Sequence, residues 1–278
     1  MPFIITGLPV PTNSYALKDR QSSCVRMKVR PGVEVSAQSD IGCQRENNED
    51  SFGSWEPEED QQFAQKGRLA IVADGMGGYE GGQEASRIAV ETVISFYEGF
   101  TGDDPQQVLL AAVAAAHEQI REHGFAHPHL QGMGTTCTAL ALVGRSLYFA
   151  HVGDSRLYLV RDGKITQLTR DHSYVGRLVE SGLISKEEAE NHPQRNILTA
   201  ALGTTNDPVM DSPGRPELLQ CGDSLILCTD GLWGQVHDPE ILHAVESGTP
   251  EEAGGDLIQL ARERGGPDNI TVEILRVS

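Results

Sequence analysis

The sequence predicts a layered α+β domain, with antiparallel sheets covered by helices, and three observations carry that prediction. Helical patterns come in adjacent pairs between groups of consecutive strands. Strands within a group are joined by short turns, and Asp162-Gly163 has the composition of a two-residue primed hairpin turn. The strict β-α-β alternation of a doubly wound parallel sheet is missing, which leaves the layered α+β class.

Each element has its own signature. Residues 25–29 alternate strictly and read as an edge strand. Residues 33–40 place Val33, Val35 and Ala37 against Glu34, Ser36 and Gln38, a half-exposed strand, and residues 68–73 form another. In residues 80–99, Ala85, Ile88, Ala89, Val93, Ile94 and Tyr97 recur at helical spacing. The next helix starts with Asp104 as N-cap and Pro105 at its first position, then runs to about residue 123. Strands follow at 135–143, 147–152 and 157–168, then one helical stretch at 174–191. A strand ending at Asp230, helices at about 239–247 and 250–264, and a closing strand at 270–277 complete the chain.

Within the 278 residues no Gly/Ser- or Pro-rich linker and no repeat interrupts the middle, so residues 33–278 read as one domain. Residues 1–32 differ: five basic residues against Asp19 give +4, which leaves −22 for the rest of a chain carrying −18. This basic arm is expected to contribute little beyond its edge strand. The acidic balance argues against a nucleic-acid or anionic-membrane partner. Five cysteines without a Cys-x-x-Cys pair, two of them inside apolar runs, suggest a reducing compartment. The first residues lack a signal-peptide pattern, and the longest apolar run, 109–116, is far short of a membrane span. The expectation is a soluble, cytoplasmic protein.

The chemistry is carried by acids at strand ends. Apolar runs end in Asp74-Gly75, Gly153-Asp154 and Asp230-Gly231. Glu49-Asp50 follows a polar loop, and Asp268-Asn269 opens the last strand. Buried strands of this kind deliver their terminal residues to a sheet edge. Carboxylates gathered there cannot all remain ionised without cations. An all-oxygen donor set suits Mg²⁺ or Mn²⁺ better than zinc or copper. The glycine-rich segment 74–82 lets backbone approach an ion closely, yet it fits neither a dinucleotide fingerprint nor a phosphate loop. His117, His123, His127 and His129 lack the spacing of a zinc site and read as surface histidines. Cys24 and Arg30 match a Cys-x₅-Arg spacing, but they frame an alternating strand rather than a phosphate cradle.

Taken in order, the motifs resemble the metal-dependent (PPM, type 2C) serine/threonine protein phosphatases in their bacterial form. The resemblance spans roughly residues 33–277. It rests on Arg45-x-x-x-Glu49-Asp50, Asp74-Gly75-Met76-Gly77-Gly78, Gly134-Thr135-Thr136, Val152-Gly153-Asp154-Ser155-Arg156, Leu198-Thr199-Ala200-Ala201-Leu202-Gly203, Thr229-Asp230-Gly231-Leu232-Trp233 and Asp268-Asn269. It implies a four-layer α-β-β-α sandwich with two central antiparallel sheets and a metal cluster at their ends.

By that resemblance Asp74 bridges two Mn²⁺ or Mg²⁺ ions. Asp230 and Asp268 complete one ion's protein ligands, and Glu49 with the Gly75 carbonyl the other's. Asp154 matches a ligand of a weaker third ion. Asp50 matches a residue that orients metal-bound water, and Arg45 the arginine that grips the substrate phosphate, a task suited to a bidentate guanidinium. Arg156 is expected in a structural ion pair, and Arg195 in a substrate-facing flap at about 172–197. The implied activity is hydrolysis of phosphoserine or phosphothreonine in proteins, opposing a cognate Ser/Thr kinase. The rival readings are an inactive phosphoprotein-binding module and a hydrolase of small phosphate esters. One departure stands out: animal members carry a histidine, proposed as general acid, where this chain has Met76, so the acid is unassigned.

Overall fold

The computed structural model describes residues 22–25, 32–77, 80–102 and 104–278, the first four as backbone alone. Two antiparallel sheets lie at its centre. The first has the spatial order β1 (Ser22–Val25), β2 (Val33–Asp40), β12 (Ile270–Val277), β11 (Ser224–Cys228), β8 (Arg156–Arg161) and β9 (Lys164–Gln167). The second runs β10 (Glu217–Leu218), β7 (Ser146–Val152), β6 (Cys137–Val143), β4 (Arg68–Met76) and β3 (Asp50–Trp55), with short β5 (Gly134–Thr135) on the end of β4. The helices are α1 (Asp60–Lys66), α2 (Gly81–Gly99), α3 (Pro105–Ala126), α4 (Tyr174–Glu180), α5 (Lys186–Glu190), α6 (Asp230–Trp233), α7 (Asp238–Ser247) and α8 (Pro250–Glu263).

Strand alternation divides the interior into three apolar layers. On β4, Leu69, Ile71 and Ala73 face outward to Val93, Tyr97, Leu109 and Val113 of α2 and α3. The alternate residues Ala70 and Val72 face inward, meeting Leu157, Leu225, Leu227 and Leu275 of the first sheet. Behind that sheet, Ile226, Val272 and Ile274 pack on Ile241, Leu257 and Ala261 of α7 and α8. The result is helix pair, sheet, sheet, helix pair, the expected four layers. As predicted, the Asp104 side chain caps α3, accepting from the Gln106 and Gln107 amides at 3.0 and 3.3 Å.

Several expectations are corrected. The N-terminal strand includes Ser22–Val25, pairing Ser22 with Asp40 and Val25 with Ala37, so it begins before the expected 25–29; residues 26–31 lie outside the described residues. The stretch 174–191 is two helices, because Gly182 takes φ +68° and Ser185 starts a new capping box with Glu188. Strand β3 and helix α1 were not predicted. Among the described residues no helix is long and apolar enough to cross a membrane.

Candidate metal centre

Inward alternation and antiparallel order together deliver the acids to one end of the sandwich. Asp50 opens β3 directly opposite Asp74 near the end of β4. The end of β7 leads into Gly153-Asp154, the end of β11 into Asp230, and Asp268 precedes the start of β12. These five acids are joined by Glu49, and all but Asp50 line one cleft of about 910 Å³ with Arg45, Gly75 and Met76. Every residue singled out from the sequence for metal binding or catalysis is therefore at this strand-end site.

The backbone around each acid is pinned. Asn269 donates through Nδ2 to the Ile41 and Asn47 carbonyls at 3.0 and 2.9 Å, while its Oδ1 accepts from the Glu49 amide at 2.8 Å. The Asp74 amide donates to Thr136 Oγ1 at 2.9 Å, and Thr136 Oγ1 lies 2.7 Å from Ser155 Oγ. Trp233 Nε1 donates to the Asp154 carbonyl at 2.9 Å. Glycine is required where α2 meets this network: a Cβ on Gly82 would sit 2.5 Å from Glu49 Oε2, and one on Gly75 2.0 Å from the Gly82 carbonyl.

Asp50 is held differently from the rest. Its Oδ2 accepts from Thr229 Oγ1 at 2.8 Å and Thr271 Oγ1 at 2.6 Å. Its Oδ1 is buried and has no hydrogen-bond partner, and the same is true of Asp230 Oδ1. Burial, reinforced by neighbouring carboxylates, raises Asp50 to about 7 and Asp230 to about 6. Burial likewise lifts Asp74 and Asp154 well above the carboxylate range, with Asp230 adding to both. Glu49 is also raised, first by burial. Arg45 stands at the rim, its Nη2 2.6 Å from Asp268 Oδ2.

This donor set fits divalent cations. Five of its six acids line one cleft, two of its carboxylate oxygens lack any partner, and Arg45 is paired with a single member of the set. A hard cation would relieve both the repulsion and the unsatisfied oxygens.

The model of the family "Protein phosphatase 2C" matches residues 44–244. A "Putative protein phosphatase 2C-type" from Streptococcus pyogenes is 37% identical over 252 residues, covering 87% of this chain and 97% of that protein. The chain belongs to the protein phosphatase 2C family. "Serine/threonine protein phosphatase PstP" of Mycobacterium tuberculosis is 39% identical over 246 residues, and the match spans 88% of this chain but 45% of that protein. A crystal structure of the catalytic domain of PstP in complex with 2 manganese ions superposes with a TM-score of 0.75 at 37% identity, covering 88% of this chain and 98% of that one. Metal dependence is thus a property of the family to which this 2C-type domain belongs.

Other parts of the 2C domain refine the sequence reading. Arg156 forms a bidentate pair with Asp171, at 3.0 and 2.7 Å, and lies 3.6 Å above the Trp233 ring, a structural role as expected. His117 is not a surface histidine: it is 2% exposed, and its Nδ1 accepts from the Gly203 amide at 3.2 Å. That bond leaves the proton on Nε2, which lies 3.8 Å from Glu118 Oε1. The segment after β9 leaves and returns at one bridge, Ser173 with Leu198, tied to the Asp154 loop by the His172 amide donating to the Gly153 carbonyl at 2.7 Å. A bidentate Arg170–Asp211 pair braces the same root. Sequence reasoning missed Thr271 and Asp211. Thr271 had a signal, a polar residue at an inward position of a buried strand.

Proposed function

We propose that this chain hydrolyses phosphoserine and phosphothreonine in proteins, as the relatives' names describe for them. The observation that carries the reading is the strand-end carboxylate cluster opening on a cleft with an arginine at its rim. Asp74, Asp230 and Asp268 would hold one divalent cation, and Asp74, Glu49 and the Gly75 carbonyl the other. The cation would be Mn²⁺ or Mg²⁺, and a solved relative carries manganese. Asp154, raised first by burial and then by its acidic neighbours, would serve a third and weaker ion. Bound there, the cations supply charge that activates water and neutralises the phosphoryl oxygens.

The chain's own residues do the rest. Arg45, on a loop pinned by Asn269, grips the phosphate. Asp50 has one oxygen saturated by two threonine hydroxyls, which leaves Oδ1 to accept from the attacking water and orient it. Met76 lines the cleft but has no proton to donate, so no side chain is assigned as the leaving group's acid. Residues 172–197 act as a flap over the cleft, through Arg177 and Glu180 on its wall. The substrate requires a cognate Ser/Thr kinase, and the reaction is placed in the cytoplasm. Residues 33–278 form the phosphatase domain and 1–32 the basic arm.

The test is hydrolysis of a phosphothreonine peptide. Activity should appear with Mn²⁺, vanish with EDTA and survive Cys24→Ser. Full activity in EDTA would refute the mechanism. Tight peptide binding without turnover would favour a binding module, and equal kcat/KM on small phosphate esters a less selective hydrolase.

A further inference from the structure

Arg45 and Asp268 each carry a role that the other obstructs. Asp268 has both oxygens engaged: Oδ1 accepts from the Asn269 amide at 2.9 Å, and Oδ2 from Arg45 Nη2 at 2.6 Å. Among the described residues Arg45 forms no ion pair with any other acid. Its contact is single-pronged, unlike the two-pronged pairs of Arg156 with Asp171 and Arg170 with Asp211. It is also the exposed pair of the cluster, with side chains 48% and 30% accessible. Such a pair is weak enough to exchange partners.

The backbone beneath it does not share that freedom. The Cys43 amide donates to the Gly266 carbonyl at 2.8 Å, Gln44 Nε2 to the Gly265 carbonyl at 3.3 Å, and Asn269 holds the carbonyls of residues 41 and 47. Only the guanidinium is placed to swing. It stands where a cation's charge is needed, against a carboxylate of the set that solvent reaches.

We infer that Arg45 is a resident counter-ion of the cation site, which Asp268 exchanges for a divalent cation, so that cation loading frees the arginine for the substrate phosphate. Binding of cation and of phosphate is thereby coupled through one side chain, and the coupling is reciprocal. The inference rests on the proposed reading of Asp268 as a cation ligand and Arg45 as the phosphate grip. A competing counter-ion of this strength lowers cation affinity by roughly fivefold.

The test is calorimetric titration of Mn²⁺ into the metal-free full chain, with blanks for Mn²⁺ into buffer. Arg45→Gln should bind Mn²⁺ about fivefold more tightly than the wild type. Arg177→Gln, which removes a charge from the same cleft without touching Asp268, should change affinity less than twofold. Inorganic phosphate should tighten Mn²⁺ binding more in the wild type than in Arg45→Gln. Unchanged or weaker binding by Arg45→Gln overturns the inference, since the arginine would then support the ligand rather than compete with the cation. An equal gain in Arg177→Gln also overturns it, leaving only general charge. No Mn²⁺ binding by the wild type would instead overturn the reading of the site.

Discussion

The strand-end acids and Glu273 both lie between the sheets, and they differ in what surrounds them. At the strand ends Asp50, Asp74, Asp154 and Asp230 lie together beside an open cleft. Deeper in, Glu273 is alone on β12, fully buried at an inward position among apolar residues. The Ser54 hydroxyl donates to its Oε1, while Oε2 has no partner. Burial raises both kinds of acid, Glu273 to about 8. Glu273 can satisfy itself by holding a proton. The cluster presents several acids to one volume, and a cation answers that arrangement better than protons do. A raised carboxyl is therefore no mark of function by itself; convergence on a cleft is.

The sharpest way to break this comparison is to neutralise one member of each. Asp74→Asn or Asp230→Asn should cut kcat/KM on a phosphopeptide by about 10³-fold or more, by losing cation-based charge stabilisation. The melting temperature should hold or rise, because a buried like charge is removed. Turnover within tenfold of the wild type would contradict the assignment.

Glu273→Gln should leave turnover nearly intact and change the pH dependence of stability instead. The folded-state value of about 8 lies above the ordinary carboxyl value of 4.5, so protonated Glu273 favours the fold. That contribution is whole below about pH 4.5 and is lost as the pH rises through 8. Denaturant unfolding at pH 5 and pH 9 should show the variant gaining a few kcal/mol on the wild type across that window. Parallel pH profiles would refute the burial argument.

Asp154→Asn sharpens the picture inside the cluster. It should lower kcat by roughly 10²-fold, the lower end of a positioned catalytic group's contribution, while tight cation binding persists. Loss of the tight sites in calorimetry would move Asp154 into the core pair. The smallest effect expected is from trimming residues 182–192. The ranking among phosphopeptides should change by several-fold, with hydrolysis of a small aryl phosphate altered by less. Equal changes would remove the flap's role in selection.

The same contrast explains what the sequence made legible. Asp74, Asp154 and Asp230 each end an apolar run, and a run's end is a place in the fold, so the cluster could be located before any coordinates. Helices α2, α3 and α8 were legible from periodicity and caps. Strand β3 was not, because Asp-Ser-Phe-Gly-Ser-Trp buries only Asp50 fully and shows no clean alternation of apolar residues. The break at Gly182 was hidden because helical spacing resumes after Ser185. Glu273 was passed over between apolar neighbours, Val272 and Ile274, and its register against Ala37 and Leu227 is what buries it. Arg45's grip on Asp268 joins residues 223 apart in sequence, and no local pattern announces it.

The central claim, that the strand-end acids are a cation site and Glu273 is not, is tested most directly by counting metal. Metal-free wild type, Asp74→Asn and Glu273→Gln would each be dialysed against micromolar Mn²⁺ and the bound metal measured by mass spectrometry. The account predicts about two Mn²⁺ per chain in the wild type and in Glu273→Gln, and fewer than one in Asp74→Asn. Equal retention by Asp74→Asn, or loss in Glu273→Gln with the fold intact, would contradict it.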